Sequence, residues 1–160
     1  EIRLKELVYI INNKKEGSWS ILRPKCEELV LRHVNDLLSF ASFVHHPGKI
    51  QELHQMRIAA KNLRYTLEIM ESFYGKGLKK FSRAAHSIQN VLGDLHEHDV
   101  WLITLPCVVS QREKGQGLEE AVSYLENKCT LLRAAAYKKF VSIWENLEKK
   151  KIWQELRKAI

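Results

Sequence analysis

The chain has 160 residues, enough for one domain with a core able to fold alone, and 26 Lys and Arg against 19 Asp and Glu leave a net charge of +7. That balance is too mild for a histone-like tail, yet it favours polyanionic partners: nucleic acid, an anionic membrane surface or a polyphosphate. Cys26, Cys107 and Cys129 are odd in number, widely spaced and without a C-x-x-C, which argues against a secreted disulfide framework and fits a reduced cytosolic protein.

Residues 1–11 mix charge into their apolar positions, unlike a signal peptide, and residues 2–11 are expected to form a short first helix. A polar turn containing Gly17 follows. The next helix is expected at about 24–44, with Pro24 in its first turn and Leu29, Val30, Val34, Leu37, Leu38 and Ala41 as its apolar positions. Pro47-Gly48 breaks the chain, and a helix over 50–73 follows. Gly75 and Gly77 mark a turn. A helix over 78–92 places Phe81, Ala84, Ala85, Ile88 and Leu92 on one face.

Gly93 permits a kink or a close helix approach, and a fifth segment starts at Asp94 or His96. It runs through Val100, Leu102, Ile103 and Leu105, with Pro106 as a kink or its end. Gly115 and Gly117 form a loop. A long helix over 118–147 shows a stripe of Leu125, Cys129, Leu132, Ala136, Phe140, Ile143 and Leu147, and a tail helix over 152–160 closes the chain. There is no hairpin signal, no sustained period-two pattern and no run long enough for a transmembrane helix. The expected fold is an all-α antiparallel helical bundle, with 1–160 as a single domain.

The most informative stretch is 53–68, LHQMRIAAKNLRYTLE. As a helix it gathers His54, Arg57, Lys61, Arg64 and Tyr65 within an arc of about 100°. Leu53, Met56, Ala60, Leu63, Leu67 and Met70 fall on the adjoining arc, which is apolar. Glu68, near the far end, is the only acid on the basic arc. Arg can grip two phosphate oxygens with its planar fork, while Lys supplies a compact charge. At spacings of four and three residues these cations stand about 5–6 Å apart, suited to successive charges of a flexible polyanion. The competing reading is an ordinary solvated face.

A second constellation is QNVLGDLHEHDV over 89–100, with His96, Glu97, His98 and Asp99. Neither H-E-x-x-H nor Glu-x-x-His occurs, so neither a zincin nor a di-iron bundle is supported, and no metal or cofactor is expected. Asp99 would instead hold a neighbouring His or Arg through a hydrogen bond. There is no G-x-S-x-G, no P-loop and no Glu-x-Glu to carry Mg²⁺, so the chain is not expected to be an enzyme. Lys25, Arg32, Lys79, Lys80, Arg83, Arg133, Lys138 and Lys139 are further cations, important only if the fold carries them to the basic row. The four tryptophans do not interleave with cations as a base-stacking platform requires.

Taken together, the two segments resemble the CHAD family, the conserved histidine α-helical domain. The first signature reads His54-Gln55-Met56-Arg57, then Lys61, then Leu63-Arg64-Tyr65. The second reads Gln89, Leu92-Gly93, then His96-Glu97-His98-Asp99-Val100. A third match is the Leu132-Arg133 helix with Ala134, Phe140 and Trp144. The resemblance extends over essentially the whole chain, most specifically over 53–100. It implies a helical domain of two related bundle-like halves that binds inorganic polyphosphate through a basic groove. It also implies His54, Arg57, Lys61 and Arg64 as phosphate contacts, with Arg32, His96 and Arg133 on the same surface. The expected function is non-catalytic polyphosphate binding in the cytoplasm, at polyphosphate granules or beside a polyphosphate-related enzyme, with no membrane partner. A helical nucleic-acid-binding or adaptor module using the same face is the alternative.

Overall fold

The computed structural model describes residues 18–110 and 116–160. The expected first helix at 2–11 and the loop glycine Gly115 lie outside them. The described residues form five α-helices packed antiparallel: α1 (Ser18–Leu38), α2 (Ile50–Tyr74), α3 (Lys79–Ser110), α4 (Gln116–Lys149) and α5 (Ile152–Ala159). Short 3-10 turns at Ala41–Phe43 and Gly75–Leu78 serve the first two connections. No helix among the described residues is long and apolar enough to cross a membrane.

The structure corrects the sequence reading at three places. Pro24 lies inside α1, which begins upstream at Ser18 and stops at Leu38. The Ser39 hydroxyl donates to the Asp36 carbonyl at 2.7 Å, a local bond that competes with continuing the helix. Second, Gly93 does not divide a helix. The expected fourth and fifth segments are one 32-residue helix, α3, running through both Gly93 and Pro106. Val91, Leu92 and Leu95 are all buried around Gly93, so packing outweighs the roughly 1 kcal/mol helix penalty of a glycine. Third, the α4 stripe is buried only over its second half. Ala136, Phe140 and Trp144 enter the core, whereas Leu125 and Leu132 are exposed.

The core is otherwise built from the expected faces. Val30, Val34 and Leu37 of α1 meet Met56, Ala60, Leu63 and Leu67 of α2 in one cluster, with Phe81, Ile88 and Leu92 of α3 on its other side. Successive helices are packed neighbours, α1 on α2, α2 on α3, α3 on α4. The amphipathic α5 turns back under the bundle through Trp153 and Leu156. Lys80 pairs with Glu155 at 2.7 Å, and Arg157 donates to Asn35 at 2.6 Å. Lys151, at φ 52°, makes the reversal between α4 and α5.

Candidate functional site

The apolar arc of α2 decides where the basic row goes. Burying Leu53, Met56, Leu63 and Leu67 rotates His54, Arg57, Lys61 and Arg64 to the margin of the α2–α3 contact, where each is half-buried. They are therefore not a fully solvated face. Three contacts fix what stands opposite. The His54 and His96 rings have centroids 4.1 Å apart. A Cβ built on Gly93 would meet Arg57 Nε at 3.5 Å. Arg64 Nη1 donates to His86 Nδ1 at 2.8 Å, and His86 is hydrogen-bonded to Asn90. In each facing pair the residue numbers add to 150, so the antiparallel register is constant, and Lys61 falls opposite Gln89.

The candidate groove is thus the two-sided α2–α3 seam, its sides in contact at these three points. One wall is His54, Arg57, Lys61 and Arg64. The other is His96, Gly93, Gln89 and His86. Among the described residues six buried side-chain polar atoms have no hydrogen-bond partner, and four of them line this groove: His54 Nδ1, Arg57 Nε, Arg64 Nε and Gln89 Oε1. Arg64 Nε lies 3.2 Å from Glu68 Oε1, an ion pair whose geometry falls short of a hydrogen bond. Two of the four are guanidinium N–H donors, which the oxygens of a multivalent anion would satisfy. Burial pushes the His54 imidazole below the ordinary histidine value of 6.5, with the charges of His96 and Arg57 adding to the shift.

Two other expected residues have different surroundings. Arg133 forms an ion pair with Asp99, their side chains only 16% and 5% exposed, and donates from Nη2 to the Pro47 carbonyl at 2.8 Å. The Asp99 reading as a positioning acid is therefore met by an arginine. One turn along α4, the Tyr137 hydroxyl donates to the Val44 carbonyl at 2.8 Å. Together they clasp the segment that enters α2, just ahead of His54. Arg32 pairs at 3.4 Å with Glu28 of its own helix, both largely exposed. Tyr65 is exposed, with the Arg64 guanidinium 4.4 Å above its ring. Among the described residues no group of three or more His, Cys, Asp or Glu has the arrangement to hold a metal ion.

Of the far side, the sequence reading named His96 as a site residue and Gln89 and Gly93 within the second signature, but missed His86. His86, Gln89, Gly93 and His96 recur at three, four and three residues, the spacing of one helix face, but the signal vanishes if Gly93 is taken as a break.

The described residues define an all-helical protein with a cation-rich seam between two antiparallel helices. The chain belongs to the CHAD domain family, whose model matches residues 4–106. The match includes both groove walls and ends within α3, so α4, with Arg133, lies beyond it. Comparisons with curated proteins and with solved structures gave no match.

Proposed function

We propose that this chain is a non-catalytic module that binds inorganic polyphosphate along the α2–α3 groove. The observation that carries the reading is the row of half-buried cations in constant register with His96, Gly93, Gln89 and His86, with the buried Arg57 Nε–H left without a hydrogen-bond partner. Family membership adds the polymer: polyphosphate is the anion generally associated with CHAD domains. His54, Arg57, Lys61 and Arg64 would contact phosphate oxygens, with His96 across the groove. Arg133 would serve the same site through the Pro47 segment, and Arg32 would add charge from α1. Chain length of the polymer supplies avidity without any new contact. Two antiparallel hairpins, α1–α2 and α3–α4, support the expectation of two related halves, and granules or a polyphosphate-related enzyme remain the proposed destinations.

The test is binding of size-defined polyphosphate at fixed salt. Arg57→Ala with Arg64→Ala should weaken it at least tenfold while the helical circular dichroism is retained. Unchanged affinity in a folded double variant would remove the groove as the site. Easy displacement of polyphosphate by RNA would favour the nucleic-acid reading, and release of phosphate by the pure protein would favour catalysis.

A further inference from the structure

On each helix of the seam the charge changes from basic to acidic along the chain, and because the helices are antiparallel the two changes run in opposite directions in space. On α2 no acid stands between Leu53 and Leu67, and Glu68 and Glu71 then follow Arg64. From 72 to 93 the chain carries Lys76, Lys79, Lys80 and Arg83 and no acid, whereas Asp94, Glu97 and Asp99 come after. The constant register sets 79–82 of α3 level with 68–71 of α2, and the Ser82 hydroxyl donates to Glu71 at that level. Where α2 turns acidic, α3 is therefore cationic.

Helical phase carries two of these cations to the margin of the seam. Lys79, Arg83, His86 and Asn90 recur at four, three and four residues and fall within an arc of about 60°. All four are exposed, and their arc adjoins the one that holds Gln89, Gly93 and His96. The 2.8 Å hydrogen bond between Arg64 and His86 joins the α2 row to this one. Arg83 stands one turn from His86 and Lys79 one turn further, at neighbour separations of about 5–6 Å. The α2 acids do not neutralise them. Glu68 pairs with Arg64 of its own helix and Glu71 accepts from Ser82, while Lys79 and Arg83 enter no ion pair among the described residues. Lys80, by contrast, is engaged by Glu155 of α5.

We propose that Lys79 and Arg83 form a second polyanion subsite, so that a polyphosphate chain leaves α2 at Arg64 and continues along α3 to the start of that helix. The proposal rests on the seam being the binding site, and it lengthens that site. His54 to Arg64 covers about 15 Å of α2, and His86 to Lys79 adds about 10 Å of α3, at 1.5 Å per residue. The chemistry selects a flexible chain of closely spaced charges. Such a chain can pass from the cations of one helix to those of the other, each contact adding avidity, whereas a compact anion meets only one stretch.

Binding of tripolyphosphate and of long-chain polyphosphate to the full chain at fixed salt tests this, since tripolyphosphate is too short to span both stretches. Lys79→Gln with Arg83→Gln should weaken the long chain at least fivefold and tripolyphosphate less than twofold. Helical circular dichroism should be unchanged, because both side chains are exposed. Over a salt series, the two substitutions should make the long-chain slope shallower by about 1.4. Lys128→Gln with Lys139→Gln removes the same charge from exposed positions of α4 and should leave both affinities within twofold. Equal losses for both lengths, no loss for the long chain, or an equal effect of the α4 pair would overturn the proposal. Arg57→Ala with Arg64→Ala separates it from the seam reading. If that variant loses affinity while the Lys79 and Arg83 variant does not, the α3 subsite alone fails. If it binds both lengths like the parent, the seam reading fails and the α3 subsite with it.

Discussion

Arg57 lies across Gly93. The guanidinium Nε would stand 3.5 Å from a methyl group at that position, an ordinary van der Waals separation, and among the described residues no other helix brings an atom within 4 Å of it. The glycine leaves room for an arginine to lie along the far wall of the groove, and α3 keeps its helical course while doing so.

This relation makes a graded prediction. Gly93→Ala should be accepted, with stability rising by about 0.5–1 kcal/mol from the gain in helix propensity and affinity for polyphosphate little changed. Gly93→Leu should keep the helix but displace Arg57, lowering affinity at least fivefold. Thermal unfolding and binding isotherms on both variants decide it. A leucine variant that binds like the parent would show that Arg57 is not held in its binding position by this contact.

Acidification should act on His54 in two opposed ways. Its folded-state pKa lies below 6.5, chiefly through burial, so the unfolded chain takes up the proton first. Its contribution to stability is therefore complete above the unfolded-state value and falls as pH drops from there towards the lower folded-state value. His33, lowered chiefly by burial, acts in the same sense. A bound polyanion favours the imidazolium, so affinity should rise as pH falls from 8 to 6, with proton uptake on binding. Isothermal titration in buffers of different ionisation enthalpy measures that uptake, and His54→Asn should reduce it. A flat pH profile would exclude a charge contribution from His54.

Arg133 and Asp99 should behave as a buried pair. Arg133→Ala leaves a largely buried carboxylate without its partner, a loss on the order of 3 kcal/mol in urea unfolding. Asp99→Leu with Arg133→Leu should recover most of it, because neither charge then has to be desolvated. Polyphosphate affinity of that double variant reports the role of Arg133. Retention within threefold marks a positioning residue, and a tenfold loss marks a direct contact.

Salt should distinguish groove contacts from general attraction. By analogy with single-stranded nucleic acid, three cations give a slope of about −2 in log affinity against log salt at pH 8. Replacing Lys61 by Ala should make that slope shallower by about 0.7, and replacing exposed Lys149 should leave it nearly unchanged. Equal changes from both would point to diffuse attraction by the net charge.

Much of this was legible in the sequence because helical periodicity is a local property. Leu53, Met56, Ala60, Leu63, Leu67 and Met70 of α2 are all buried, and their phase alone places His54, Arg57, Lys61 and Arg64 together. The α4 stripe has an equally clear period, but Leu125 and Leu132 are exposed. Periodicity shows that a face is apolar; it does not show what covers it. Gly93 and Pro106 misled for a related reason. Their helix penalties are real but small beside the burial of Leu92, Leu95 and Leu105 on the same helix.

The sequence by itself determined an all-helical chain, the basic row on α2 and the two motifs of the CHAD domain family, since these depend on residue type and spacing within one helix. Only the tertiary structure decided that α3 is continuous. The same packing set His96, Gly93 and His86 against His54, Arg57 and Arg64, and tied Arg133 to Asp99 and the Pro47 carbonyl. Those relations join residues 22 to 86 positions apart, and their register follows from how two helices bury their apolar faces against each other.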